Sequence, residues 1–115
     1  MTVNECEELF RFHQARVNHP RANKYTFGLM RNVRTRRVRG RCNLVKKVIQ
    51  IAPSHISDSS VEEITDTILH ELAHAIIGRR KAGKRYHYKG WREVARALGC
   101  TDVDRYDPFI IKKTV

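Results

Sequence analysis

Between Ser60 and Gly78 the apolar residues fall at three- and four-residue steps: Val61, Ile64, Ile68, Leu69, Leu72, Ala73, Ile76 and Ile77. That spacing predicts a helix with one buried face. Ser60 and Glu63 stand at capping-box spacing, and Gly78 supplies a stop. A second helix is predicted over residues 4–18, where Cys6, Leu9, Phe10, His13 and Val17 share a face and make His13 a core histidine. His19-Pro20 ends it, because the residue before proline avoids helical geometry. Three shorter runs, 25–32, 36–43 and 47–52, are predicted strands, the middle one alternating Arg37, Arg39 and Arg41 with Val38, Gly40 and Cys42. Pro53-Ser54-His55 is predicted as a turn, with His55 in a loop. A short amphipathic helix follows at Trp91, Val94, Ala95 and Leu98, and residues 107–111 end the chain as a short strand or packed tail. The order of elements predicts an α+β fold, a small curled three-stranded sheet packed with helices, in a single domain over residues 1–115.

The predicted 60–78 helix carries His70-Glu71-Leu72-Ala73-His74, an HExxH pattern. Residues four apart share a helix face, so His70 and His74 can offer two imidazole nitrogens to one zinc ion. Glu71 stands where a carboxylate can act as general base toward water activated by the metal. Asp66, one turn earlier, reads as an exposed helix carboxylate, with support of His70 as the other reading.

Catalytic zinc takes three protein ligands and keeps one open position. The metzincin continuation fails here, because Ile77 and Arg80 occupy its glycine and third-histidine positions. Two candidates remain for the third ligand, His87 and Glu93. His87 is favoured, since a basic loop needs a reason to fold back and metal ligation supplies one.

The string Thr67-Ile68-Leu69-His70-Glu71-Leu72-Ala73-His74-Ala75, followed by His87 and by Trp91 four residues later, resembles the SprT-like metalloprotease domain. That family includes bacterial SprT and the DNA–protein crosslink protease Spartan. The basic stretch at Arg39-Gly40-Arg41-Cys42 and the strand Lys47–Ile51 before the helix are similar too. The resemblance implies a minimal zincin-like fold, one Zn2+ per chain on His70, His74 and His87, and Glu71 as the catalytic base. The chain departs from the family pattern at Tyr88, which replaces the usual glycine after the third histidine, and it has no Cys-x-x-Cys pair. It therefore reads as a catalytic-core-only member.

Composition adds a polyanion to the picture. The net charge is +11, and from Leu9 to Ser57 there are twelve Lys or Arg and no acidic residue. Arg34, Arg36, Arg37, Arg39 and Arg41 form one cluster, and Arg79, Arg80, Lys81, Lys84, Arg85 and Lys89 bracket His87 as another. Crowded guanidinium and ammonium groups repel one another and match phosphates, which makes nucleic acid, single-stranded DNA included, the expected partner. Tyr86 and Tyr88 are candidates for base stacking or for stabilising an oxyanion. Three cysteines at unrelated spacings read as reduced thiols, and neither a signal peptide nor a membrane-length apolar stretch is present. The expected location is the cytoplasm, at the nucleoid, or the nucleus in a eukaryote. The expected state is a monomer.

Three functional classes follow. The first is a zinc endopeptidase acting on DNA-bound or DNA-crosslinked proteins, with nucleic acid as tether or activator and a role in crosslink repair. The second is a metalloprotease with one dedicated target, such as a repressor. The third is a basic nucleic-acid-binding protein with a non-catalytic zinc site.

Overall fold

Thr2 and Ser60 each start a helix in the same way. In both, the hydroxyl accepts the N–H of a glutamate three residues on, and that glutamate accepts the capping residue's own N–H. The helices that follow are α1 (Val3–Val17) and α3 (Val61–Ile77). The structure, a computed structural model, describes residues 1–31, 38–78 and 89–101. Within them lie also α2 (Pro53–Asp58), α4 (Lys89–Leu98), a short 3-10 turn at Ala22–Lys24, and strands β1 (Thr26–Leu29), β2 (Gly40–Asn43) and β3 (Val48–Ile51). The predicted tail at 107–111 lies outside the described residues.

The three strands form one open mixed sheet in the order β1-β3-β2. β2 and β3 pair antiparallel, with Cys42 opposite Ile49, whereas β1 runs parallel to β3, with Phe27 opposite Ile49. Ile49 and Ile51 point into the core and are fully buried, where they meet Ile64, Ile68 and Leu72 of α3 and Phe10 of α1. Gln14 of α1 donates to the carbonyls of Ala22 and Tyr25, both at 2.8 Å, and so fixes the entry to β1. This is the expected α+β arrangement, compatible with a minimal zincin-like fold. It places α3 centrally, against α1, β2 and α4.

Three local expectations change. Residues 53–58 form a helix rather than a turn, started by Pro53 at its first position, where a missing N–H costs nothing. His55 is therefore a buried helix residue, not a loop one. Val61, read as part of the buried stripe, is 53 % exposed at the start of α3, before the helix has passed under the sheet.

Candidate metal centre

α3 carries its apolar residues on the face that meets the sheet, and His70, Glu71 and His74 are borne on the same three turns. His70 and Glu71 are buried and His74 is half-buried. The potential ligand atoms of these three residues lie within 4.8 Å of one another. Two imidazoles four residues apart plus a carboxylate form a donor set that suits zinc and similar divalent ions, so the described residues fit a metal.

Trp91, the fully buried first-turn residue of α4, sets the histidines in place. Its indole stacks on the His74 ring at 5.2 Å and meets the His70 ring edge-on at 4.6 Å. Its Nε1–H donates to the His70 carbonyl at 3.2 Å. A tryptophan with a partner for its N–H can be buried without loss, and here it also restricts the rotamers of both candidate ligands.

Glu71 lies beneath the β2 edge. A Cβ placed on Gly40 would stand 3.3 Å from Glu71 Oε2 and 2.9 Å from Thr67 Cγ2, so only glycine lets this strand approach so closely. Burial pushes the Glu71 carboxyl up to about 8. Burial thus favours the protonated carboxyl, which weakens the 3.8 Å approach of Glu71 Oε2 to His70 Nε2 as an ion pair. A bound divalent cation reverses that balance and favours the carboxylate. Burial, and then the neighbouring charge of Glu71, push the Cys42 thiol of β2 up to about 12, so it stays a neutral packing group.

Support from behind α3 was not legible in the sequence. Thr67, one turn before Glu71, donates its hydroxyl proton to the Glu63 carbonyl at 3.1 Å. It must then accept from His55 Nε2, 2.8 Å away, which leaves His55 Nδ1 to accept from the Ser59 hydroxyl at 2.6 Å. In neutral His55 this chain fixes the tautomer, and it ties α2 to α3. Asp66, expected as an exposed carboxylate or a support for His70, is buried, and its Oδ1 accepts from Thr101 N at 2.7 Å and Oγ1 at 3.1 Å. It pins the end of α4 to α3. The glycine inside a strand pattern was the one available signal for Gly40.

The remaining expected site residues divide by position. His87, Tyr86, Tyr88, Arg34, Arg36, Arg37, Arg79, Arg80, Lys81, Lys84 and Arg85 lie outside the described residues, as does the side chain of Lys89. Arg39 is half-buried and approaches Glu63 at 4.0 Å, while Arg41 is exposed on β2, on the face opposite Gly40 and Cys42. Glu93, the other candidate third ligand, is exposed on α4.

The sequence profile of the SprT-like family matches residues 6–111. The chain belongs to the SprT-like family. Membership of that family and the His70-Glu71-His74 group together support a metalloprotease-type function with a metal cofactor. No curated protein and no solved structure matches the chain significantly. Among the described residues no helix is long and apolar enough to cross a membrane.

Proposed function

We propose that this SprT-like protein is a zinc-dependent endopeptidase that acts on proteins bound or crosslinked to DNA, with nucleic acid as tether and activator. The observation that carries the reading is the convergence of His70, Glu71 and His74 within 4.8 Å on a helix held by Trp91. His70 and His74 would hold the metal, with His87 as the third ligand. When bound, zinc supplies Lewis-acid polarisation of a peptide carbonyl and lowers the pKa of water toward neutrality. Glu71 then accepts a proton from the attacking water and returns it to the leaving amine. Its burial suits both halves of that task, because desolvation favours the protonated form while a nearby cation favours the carboxylate. Trp91 and Gly40 keep the histidines and the carboxylate in register, Trp91 by stacking and Gly40 by letting the β2 backbone lie against Glu71.

The net charge of +11 supports the nucleic-acid part of the reading, since a tether raises the local concentration of a protein substrate bound to the same strand. The test is cleavage of a basic DNA-binding protein with and without single-stranded DNA, beside the Glu71→Gln variant. DNA-stimulated cleavage that Glu71→Gln abolishes while zinc is retained is the expected result. Zinc-loaded protein that cleaves nothing under any DNA condition would overturn it.

A further inference from the structure

A concavity lies at the C-terminal end of α3, lined by residues other than those of the metal centre. It is a cavity of about 460 Å³ lined by Arg21, Lys24 and Lys47 together with Tyr25, Val45 and Ala75. Its cations come from two separate segments, the 3-10 turn that leads into β1 and the tight turn between β2 and β3. The architecture fixes both. Asn43 Oδ1 accepts the N–H groups of Val45 and Lys46 at 3.1 and 2.9 Å, and Lys47 adopts a left-handed φ of 58°, which closes the β2–β3 turn. The Lys47 ammonium then stands 5.6 Å from the centre of the buried Tyr25 ring. Across the cavity, Arg21 Nη1 donates to the carbonyls of Ile76 and Ile77 at 3.0 and 3.2 Å. That contact offsets the negative end of the α3 dipole and holds the guanidinium at the rim.

Three positive charges thus surround one hollow whose lining, among the described residues, contains no acidic one. Like charges held together in this way favour an anion between them. The sequence from Leu9 to Ser57, which supplies all three, has no Asp or Glu to serve instead. Val45, 79 % exposed at the tip of the turn, adds an apolar knob suited to a sugar or base face. The location matters as well. Ala75 follows His74 directly, and at a rise of about 1.5 Å per residue Gly78 lies roughly 12 Å along the helix from His70.

We propose that this cavity docks the phosphodiester backbone of a nucleic acid through Arg21, Lys24 and Lys47. The site differs from the arginine and lysine clusters that the sequence suggests, and it rests on the nucleic-acid reading given above. A strand held there would lie at the C-terminal end of α3, the helix that carries His70, Glu71 and His74.

The experiment measures polarisation of a fluorescein-labelled single-stranded oligonucleotide, and of its duplex, against the full chain. Lys24→Gln/Lys47→Gln is compared with Lys46→Gln/Arg11→Gln, which removes the same charge from exposed positions outside the cavity. Arg21 is left in place because it caps α3. The cavity variant is expected to bind roughly ten-fold more weakly near 0.1 M salt, with the slope of log K against log salt reduced by about two. The control is expected to change binding less than two-fold, and hydrolysis of an untethered peptide to stay as in the parent. Equal weakening of the two variants, or unchanged binding by the cavity variant, overturns the proposal while the protease reading stands. A parent chain that binds polyglutamate but neither oligonucleotide overturns both the cavity proposal and the nucleic-acid part of the proposed function.

Discussion

The indole N–H of Trp91 donates to the main-chain carbonyl of His70, 3.2 Å away, while the ring itself covers His70 and His74. One residue of α4 therefore restrains both the backbone and the side chains of the HExxH turn. Trp91→Ala is expected to cost about 3–5 kcal/mol, the usual range for a large buried aromatic. Trp91→Phe keeps most of the packing and loses the donor, for about 1 kcal/mol. Urea unfolding of the metal-free proteins separates the two. Zinc affinity measured alongside is expected to fall in both, because the histidine rotamers lose their restraint. Trp91→Phe with unchanged stability and zinc affinity would remove the hydrogen bond from the account.

Gly40 admits no side chain without displacing Thr67 or Glu71. Gly40→Ala is expected to destabilise the fold by roughly 1–3 kcal/mol and to lower peptide hydrolysis. The closest obstacle is a methyl group, Thr67 Cγ2 at 2.9 Å. Thr67→Ser removes that methyl and keeps the hydroxyl that His55 and Glu63 use. The double variant Gly40→Ala/Thr67→Ser should then recover part of the loss, a coupling that a double-mutant cycle measures directly. Strict additivity would mean that the strand moves away instead.

The chain behind α3 can be probed at its buried histidine. His55→Ala leaves the Ser59 and Thr67 hydroxyls without their common partner in a buried setting, and a loss of about 2–3 kcal/mol is expected. Denaturant midpoints check this. A loss below about 0.5 kcal/mol, the level of an ordinary surface substitution, would show that the network carries no weight.

In the metal-free protein, Glu71 has a folded-state pKa raised by burial to about 8 from an ordinary 4.5. Between those values the folded chain holds a proton that the unfolded chain releases, so stability falls as pH rises from about 4.5 toward 8. Glu71→Gln cannot titrate and is expected to lack that decline. His13, held below its usual value by burial and then by Arg16, acts in the opposite direction, but equally in both proteins, so it cancels in the comparison. Melting curves of the chelated parent and Glu71→Gln across this pH range provide the test. Parallel profiles would show that Glu71 is ionised without metal.

Helix α3 was legible in the sequence because its signals are local. A capping box, a helical repeat and a terminal glycine all lie within α3 and its caps. The core position of His13 was legible for the same reason. What escaped depends on distant chain. Asp66 looks like any helix carboxylate until Thr101 arrives 35 residues later to donate to it. His55 looks like a loop residue because α2 has only six residues and contains two serines and a proline. The parallel pairing of β1 with β3 leaves no local trace at all, since it joins residues distant in sequence, such as Thr26 and Val48.

That mixed pairing sets an order of assembly. β2 and β3 are joined by the turn at residues 44–47 and can zip together as soon as the chain reverses. β1 must wait, because its parallel partner β3 is reached only after β2 and the turn, and closing the longer loop costs more chain entropy before any hydrogen bond forms. The edge that lies against Glu71 is thus the early part of the sheet, and the edge bearing Phe27 the late one. Weakening β1 should then chiefly hasten unfolding, while weakening the hairpin should slow folding.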